Sequence, residues 1–308
     1  MIRARALLIL GLLCCMGFGP VAQAGAGHLP PPLIPTDNPS TAAKEALGAR
    51  LFHDPRLSRS GDLSCASCHR PELFFTDGLA RPKGVLGDLL PFNTPTLYYS
   101  AYNVTLGWGE GSPTRLEAQH LIPLFATDPI EMGLEERQLD GLAQASEYAA
   151  LQRAAFGQQP FQVDTVVKAL ASYIRSLQPP LTPFDRYLFE DEAAALSSAA
   201  QAGMSLFFSD RLGCTQCHAA LTFSGPIAHA RAAPPAVFHR MGVSGSRAAF
   251  RAPTLRFVRY TAPYMHDGSL ASLDEVLDHY QRQPAPSVPA FHLNAAERHQ
   301  LLAFLHSL

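Results

Sequence analysis

The sequence has little charge and no concentration of positive charge. Only 16% of its 308 residues are charged, and the formal net charge is −2. Because no basic cluster occurs, we expect no nucleic-acid partner. Tryptophan is also scarce, with a single residue at Trp108. The chain is nevertheless 47% hydrophobic, which is enough to bury the cores of two domains of ordinary size.

Long apolar runs are absent as well. A run near the start, residues 6–18, is too short to span a bilayer comfortably, so we expect no membrane span in the mature chain. Arg3 and Arg5 precede this run, and the small residues of Ala22-Gln23-Ala24 follow it. This pattern predicts a signal peptide over residues 1–24 and a periplasmic mature protein.

Cysteine is scarce in the predicted mature chain. Cys14 and Cys15 lie inside the signal peptide and are expected to leave with it; the alternative, a lipoprotein signal, is disfavoured by bulky Leu13 before Cys14. The four remaining cysteines all belong to two Cys-x-x-Cys-His motifs. No cysteine is left for a structural disulfide, in spite of the oxidising destination.

The two motifs predict covalently attached c-type haem. They consist of Cys65, Cys68 and His69 in the first half of the chain, and of Cys214, Cys217 and His218 in the second. In this motif the thiols form thioethers to haem and the adjacent His is the proximal iron ligand. A single CxxC could instead be a redox dithiol or half a zinc site. Two complete copies in an exported chain favour two haems.

Helical periodicity dominates the rest of the chain, which predicts a mainly α fold. The pattern predicts helices over residues 42–53, 115–124, 135–155, 163–177, 193–208, 272–282 and 294–308. Asn294 is the expected N-cap of the last helix, and Glu297 completes a capping box. Residues 25–40, rich in Pro, are expected to form an extended arm, and residues 70–103, rich in Gly and Pro, a long loop.

The two halves of the chain also resemble one another. Each contains a helix, a haem motif, a loop and a Pro-Thr-Leu element, at residues 95–97 and 253–255. Chance similarity in an Ala- and Leu-rich sequence is the alternative explanation. Because Pro179-Pro180 interrupts the helical pattern, we predict two cytochrome c-like domains, residues 25–182 and 183–308, with one haem each.

Several segments around the motifs resemble the bacterial di-haem cytochrome c peroxidase/MauG family. They are residues 51–58, 75–78, 93–96, 128–133 and 261–268. Residues 103–135 resemble a MauG-like subgroup, which contains MbnH, the di-haem partner of the copper protein MbnP. MbnH converts a tryptophan of MbnP to kynurenine.

The resemblance implies that the haem at His69 reacts with peroxide. Family peroxidases that need prior reduction carry a distal His in the loop after the first motif, but no histidine occurs between Arg70 and Gln119. We therefore expect a five-coordinate iron at this haem. His53, His120 or a Met are the alternative sixth ligands.

Glu131 matches the catalytic Glu of the family in the pattern Pro-x-Glu-Met-Gly. A carboxylate beside the distal face of the haem can act as general acid and base on peroxide. Gln119 and Pro123 keep the family's spacing, whereas the segment from Pro123 to Glu131 is about two residues longer than in the family. The alternative for Glu131 is a carboxylate that only stabilises the start of a helix.

The resemblance places the second axial ligand of the other haem fourteen residues after His266, which is Tyr280. Family peroxidases have Met there, and MauG has Tyr. An anionic Tyr oxygen favours high-valent iron more than a thioether does. Met265 or Met241 is the alternative ligand. His266 matches a residue near the calcium site and the second haem, and we do not expect it to bind iron.

Two further family sites are implied. Trp108 resembles the Trp that lies between the haems, although a lone Trp is often a core residue. Asn93, Thr261 and Pro263 match a calcium site, Asn93 through its side-chain oxygen and the other two through backbone carbonyls. Asn93 could alternatively organise a turn. Where MauG has a Trp for electron exit, before the second motif, this chain has Leu212-Gly213, so an exit route must use other residues.

The resemblance implies a di-haem peroxidase-type oxidoreductase. Such an enzyme reacts with hydrogen peroxide, forms a high-valent state of bis-Fe(IV) type and oxidises an aromatic residue, a Trp, of a periplasmic partner similar to MbnP, a copper-binding protein. The alternative is a di-haem cytochrome c peroxidase that receives electrons from a small cytochrome or cupredoxin. A third possibility, a non-catalytic electron carrier, would leave Glu131 without a purpose.

Overall fold

Helices form most of the framework in the computed structural model, which describes residues 29–219, 221–286 and 288–308. The ten α-helices of these residues are α1 (Ala42–Phe52), α2 (Cys65–Cys68), α3 (Leu116–Phe125), α4 (Arg137–Gln144), α5 (Ser146–Phe156), α6 (Val163–Ser176), α7 (Pro183–Phe189), α8 (Ser198–Phe207), α9 (Leu273–Arg282) and α10 (Ala295–Leu305). The predicted mainly α fold is confirmed. None of these helices is long and apolar enough to cross a membrane. The predicted signal peptide lies outside the described residues.

The sheet structure is limited to one small antiparallel pair. Strands β1 (His239–Arg240) and β2 (Ala249–Phe250) pair with His239 opposite Phe250. This hairpin was not predicted, because two residues per strand are too few to show an alternating pattern.

Two predicted helices are wrong as continuous elements. Residues 135–155 form two helices, because Ala145 has extended backbone angles, φ −71° and ψ 129°. The turn brings Leu142 and Tyr148 into the same core. Residues 193–208 begin with a 3₁₀ turn, and α8 starts only after Ser197, whose hydroxyl accepts a hydrogen bond from the amide of Ala200. In both places a local cap or turn interrupts continuous apolar periodicity.

Other helix ends follow the local rules of capping. Thr41 caps α1, and Asn294 with Glu297 forms the predicted capping box of α10. Helix α7 was not predicted, although Thr182 and Asp185 form a capping box at its start.

The described residues contain two hydrophobic cores. The first is built around α1, α4, α5 and α6, and the second around α7, α8, α9 and α10. In each core the helix that precedes a Cys-x-x-Cys-His motif packs closely through a glycine. A Cβ on Gly48 of α1 would lie 2.1 Å from the carbonyl oxygen of Ala169, and one on Gly203 of α8 would lie 1.9 Å from that of Gln300. Only glycine allows these two helix crossings.

The segment before α1 is anchored at Asn38, which is fully buried. Its side-chain amide donates hydrogen bonds to Glu117 of α3 (2.7 Å) and to the carbonyl of Lys168 in α6 (3.0 Å). Arg175 pairs with the same Glu117 at 2.7 Å. This buried network fixes α3, the helix that carries Gln119 and His120, against the first core.

Candidate functional site

The first motif forms one short helical turn that aims His69 inward. The backbone amide of His69 donates to the carbonyl of Cys65 at 2.8 Å. The ring Nδ1 of His69 donates to the carbonyl of Phe75 at 3.0 Å. Burial lowers the pKa of His69, so the imidazole is neutral at physiological pH. A neutral ring held through Nδ1 leaves Nε2 as a metal-binding atom.

The second motif repeats this arrangement. The amide of His218 donates to the carbonyl of Cys214 at 2.9 Å, and its ring Nδ1 donates to the carbonyl of Phe223 at 2.9 Å. Burial lowers the pKa of His218 to about 4. Both histidines are therefore prepared in the same way to bind a metal through Nε2.

The two Pro-Thr-Leu elements support these histidines from behind. The hydroxyl of Thr96 donates to the carbonyl of Phe74 at 2.6 Å, and that of Thr254 donates to the carbonyl of Thr222 at 2.5 Å. Each threonine thus fixes the turn whose next carbonyl holds the motif histidine. The internal repeat seen in the sequence extends to these individual hydrogen bonds.

The four thiols fit covalent haem better than the alternatives. None is in a disulfide, and burial raises the pKa of Cys65, Cys68 and Cys214 to about 12 and that of Cys217 to about 11. A redox dithiol needs a lowered thiol pKa. The described part of the chain also contains no group of three His, Cys, Asp or Glu side chains that could hold zinc. Paired thiols beside a histidine with a free Nε2 are the donors that c-type haem requires.

Glu131 lies at the first motif. Its negative charge, after burial, is the second cause of the raised pKa of both Cys65 and Cys68. Burial raises the pKa of Glu131 itself to about 7. Its carbonyl accepts from the amide of Val85 at 2.7 Å, which fixes the backbone. The alternative role of Glu131, stabilising the start of a helix, is wrong, because the next helix, α4, begins only at Arg137.

Helix α3 brings two more predicted residues to this side of the first core. Gln119 has a buried side-chain oxygen with no hydrogen-bond partner among the residues described. His120 donates through Nδ1 to the carbonyl of Leu116 at 2.6 Å. Burial lowers the pKa of His120 to about 4, and a smaller electrostatic interaction with His69 acts in the same direction. The two imidazoles therefore lie within interaction distance of each other. Of the alternative ligands, His53 is exposed at the end of α1.

The segment that carries Glu131 is held beside α3. The amide of Met132 donates to the carbonyl of Pro123 at 2.9 Å, and that of Leu134 to the carbonyl of Leu124 at 2.8 Å. Pro123 lies inside α3. The longer connection noticed in the sequence therefore still brings Glu131 back against the helix of Gln119.

A large cavity surrounds the second motif. His218 and Tyr280 both line it, as do the alternative ligands Met241 and Met265. The hydroxyl of Tyr280 makes no hydrogen bond with any described residue. The pKa of Tyr280 is raised mainly by burial, and the neighbouring Cys217 and Cys214 raise it further. The cavity thus contains the phenol oxygen of Tyr280 and the side-chain sulfurs of Met241 and Met265, any of which could face a metal bound at His218.

Trp108 reaches the same cavity from the first half of the chain and is 8% exposed. Its indole Nε1 donates to the carbonyl of Asn93 at 2.9 Å, and its own carbonyl accepts from the amide of Arg251 at 2.9 Å. The indole is therefore fixed where the two halves meet.

The predicted calcium ligands share one feature in the structure, which is their position along the large cavity. Asn93, Thr261 and Pro263 all line the cavity of the second motif. The amide of Asn93 donates to the carbonyl of His266 at 2.8 Å, and its side-chain amide donates to the carbonyl of Leu79 at 2.8 Å. These bonds use the donors of Asn93 and leave its side-chain oxygen for a cation.

Arg251 is a residue that the sequence analysis missed. It lines the cavity, its guanidinium lies 5.9 Å from the centre of the Trp108 ring, and its Nε donates to the carbonyl of Gly107 at 2.9 Å. Burial lowers its pKa to about 10. The available signal was its place in the repeat, where it occupies the position equivalent to Asn93.

Two thiol–imidazole sites on a mainly helical fold, with a carboxyl of raised pKa at one of them, point to a di-haem oxidoreductase. Comparisons with known proteins agree. Residues 42–193 match the family described as di-haem cytochrome c peroxidase. The chain is 38% identical to the methylamine utilization protein MauG of Methylorubrum extorquens, over 89% of this chain and 80% of that protein.

Two further relatives support the same assignment. The cytochrome c551 peroxidase of Nitrosomonas europaea is 31% identical, over 83% of this chain and 79% of that protein. A solved MauG-like protein associated with microbial copper homeostasis is 34% identical with a TM-score of 0.84, over 91% of this chain and 93% of that one. The chain belongs to the di-haem cytochrome c peroxidase/MauG family and is an oxidoreductase that acts on peroxide.

Proposed function

We propose that this protein is a periplasmic enzyme of the MauG type, which uses hydrogen peroxide to oxidise an aromatic residue of a partner protein. The observation that carries the proposal is the difference between its two similar sites. The first motif has Glu131 beside it, with a pKa near 7, whereas the second faces Tyr280. A pure electron carrier would need no such acid–base group.

The residues of both motifs fit haem, because their thiols can form thioethers to it and their neutral imidazoles can bind its iron. Cys65 and Cys68 would hold one haem with His69 on its iron, and Cys214 and Cys217 the other with His218. Bound haem supplies an iron that accepts oxidising equivalents from peroxide. Arg251, a buried cation in the second cavity, would balance the negative charge of the haem carboxylates there.

Glu131 and Gln119 would handle the proton chemistry at the first site. With a pKa of about 7, Glu131 can both take a proton from one oxygen of peroxide and return it to the other. The unpartnered oxygen of Gln119 can accept a hydrogen bond from the same substrate and orient it.

The second site would hold the other oxidising equivalent. We infer that Tyr280, which lines the same cavity as His218, would bind the iron of the second haem as phenolate and favour the oxidised metal. Trp108, fixed between Asn93 and Arg251, would couple the two sites through its ring. A calcium ion held by Asn93, Thr261 and Pro263 would tie the two proposed domains, residues 25–182 and 183–308, together.

The partner we propose is a copper-binding protein similar to MbnP, whose tryptophan would be converted to kynurenine. The similarity to a MauG-like protein associated with copper homeostasis supports this choice. The second candidate function is a cytochrome c peroxidase that takes electrons from a small cytochrome or cupredoxin. The similarity to the Nitrosomonas europaea peroxidase and the presence of Met241 and Met265 in the second cavity favour it.

The test is to add peroxide to the fully oxidised protein and record EPR and near-infrared spectra. Loss of the ferric signals with a charge-resonance band, followed by kynurenine in a co-purified partner, supports the proposal. A reaction that occurs only after one-electron reduction supports the cytochrome c peroxidase instead. No reaction in either state contradicts both functions.

A further inference from the structure

A row of aromatic rings joins the first motif to the protein surface. The carbonyl of Phe75 holds the ring of His69, and the Phe75 ring meets Tyr98 edge-on at 5.1 Å between centroids. Tyr98 lies 6.4 Å from Phe74, which stacks on Tyr260 at 4.4 Å with planes only 6° apart. The row therefore runs from the His69 turn to Tyr260.

Tyr260 ends this row at the surface. It is 50% exposed, although it belongs to a 3₁₀ turn of the second half and stacks on a ring of the first. The guanidinium of Arg259 lies 5.5 Å from its ring centre. A large aromatic side chain stacked on one face and half in solvent is available to a docking protein.

The chemistry of the row differs from ring to ring. Tyrosine can give up an electron when its phenolic proton leaves, whereas phenylalanine cannot be oxidised under the same conditions. Tyr98 is partly buried, and burial raises its pKa, so its proton is retained. Tyr260 is half-exposed, so water can take its phenolic proton when the ring loses an electron. Phe74 lies between the two tyrosines and brings them within the range of a short electron step.

No comparable aromatic stands directly before the second motif. Leu212 is fully buried there, and Gly213 has a left-handed backbone angle, φ 64°. A Cβ at Gly213 would lie 2.9 Å from the ring of Pro289. An aromatic residue therefore does not fit at Gly213.

We propose that Tyr260 is the surface relay through which the partner protein delivers electrons to the haem site at His69. The inference rests on the proposed function, which supplies the oxidant. Tyr260 gives one electron inward through Phe74 and Tyr98 and its phenolic proton to water. The neutral radical that results takes one electron from an aromatic side chain of the partner and one proton from water, which restores Tyr260. Two such cycles match the two electrons that one peroxide molecule accepts.

The test compares four variants of the haem-loaded protein. Tyr260→Phe keeps the stacked ring but removes the oxidisable phenol, and Tyr260→Trp restores an oxidisable ring. Phe74→Leu removes the ring between the two tyrosines. Tyr187→Phe, on α7, makes the same chemical change in a tyrosine that packs against the second core. Thermal unfolding shows which variants keep the wild-type fold.

Three measurements are made after peroxide addition: loss of the ferric EPR signals, the rate at which a protein donor restores them, and peptide mapping of oxidised tyrosine without a donor. We expect all variants to lose the ferric signals normally. Restoration should be about tenfold slower or more in Tyr260→Phe and Phe74→Leu, and near wild-type in Tyr260→Trp and Tyr187→Phe. Oxidation in the wild type should map to Tyr260.

The failures of the two proposals are distinguishable. If Tyr260→Phe is restored as fast as the wild type, with normal loss of the ferric signals, the relay is wrong and the proposed function stands. If Tyr260→Phe and Tyr187→Phe are slowed equally, the relay is also wrong. If the ferric signals of the wild type persist after peroxide, the proposed function is wrong and the relay with it.

Discussion

Tyr99 and Phe257 stack on each other, with ring centroids 6.3 Å apart and planes at 15°. The two residues occupy equivalent positions in the internal repeat, three residues after Thr96 and Thr254. Both have left-handed backbone angles, φ 64° and 61°, and both start a 3₁₀ turn. Left-handed angles are uncommon in bulky residues, so the shared conformation is a specific feature of the repeat.

Around this contact the two similar halves contribute different side chains. Where the elements meet, Tyr98 packs against Phe257, and Tyr260 packs against Phe74. The first half contributes the turn that supports His69, and the second half contributes the exposed Tyr260, which stacks on that turn. The repeat therefore generates the interface, while residues that differ between the copies, such as Asn93 and Arg251, give each side its own chemistry.

Glu131→Gln should slow the reaction with peroxide by about 10²–10⁴-fold while both haems remain attached, because it removes the acid–base group. The wild-type rate should rise with pH through about 7, since the carboxylate is the form that accepts a proton and burial raises its pKa to about 7. The variant should lose this rise. Stopped-flow spectra between about pH 5 and pH 9 measure both effects.

Glu135→Gln is the matched control, because Glu135 lies on the same segment but bonds with exposed Arg137. It should keep the wild-type rate and pH profile. If Glu131→Gln reacts like the wild type, Glu131 is not the acid–base group.

Tyr280→Phe should change the absorption and EPR spectra of the second haem only, because it removes the phenol oxygen that faces the cavity of His218. Tyr264→Phe is the control: Tyr264 lines the same cavity but donates its hydroxyl to the carbonyl of Val258 at 2.9 Å. An unchanged spectrum for Tyr280→Phe, with a changed one for Met265→Leu or Met241→Leu, would assign the ligand to a methionine.

The sequence was sufficient for the features that are encoded locally. The haem motifs, the capping box at Asn294 and the repeated Pro-Thr-Leu element all depend on residues close together in the chain. The break at Ala145 was missed because the apolar pattern continues through it. The position of the break depends on packing between helices. The apolar periodicity of a single segment carries no information about that packing.

The candidate site likewise combines features that local sequence predicts with features that it does not. Glu131 and Tyr280 could be nominated from motifs, but the burial that raises the pKa of Glu131 comes from the folded chain. Arg251 and the stack of Phe74 on Tyr260 were not foreseen, because they join residues from opposite halves. Such contacts follow from the arrangement of the two cores and leave no local pattern.

His120→Ala should leave the EPR spectrum of the first haem high-spin, as expected for iron with only His69 as a protein ligand. His120 is the alternative ligand to test, because it lies near His69 and its Nδ1 donates to the carbonyl of Leu116, which leaves Nε2 able to bind iron. A low-spin wild-type signal that becomes high-spin in His120→Ala would identify His120 as the sixth ligand. His53→Ala, at an exposed position, is the control.

Removal of calcium by a chelator should lower the unfolding temperature of the wild type. Ligand binding at about 100 times its dissociation constant stabilises a protein by about 2.7 kcal/mol. Asn93→Ala should abolish this dependence on calcium. Asn294→Ala is the control, because losing the cap of α10 costs about 1 kcal/mol but should leave the calcium effect intact. A wild type whose unfolding temperature ignores the chelator would contradict the calcium site.

Asp185→Asn should destabilise the protein by about 3–5 kcal/mol, because it leaves the guanidinium of Arg256 buried without a charged partner. The two side chains are 3% and 9% exposed, and Nη1 of Arg256 lies 2.7 Å from the carboxylate. Arg256 also donates to the carbonyl of Leu221 at 2.8 Å, so the pair joins α7 to the turn behind His218. Asp274→Asn breaks an exposed pair with Arg298 and should cost at most about 1 kcal/mol. Urea unfolding measures both, and equal midpoints for the two variants would show that the buried pair contributes no more than the exposed one.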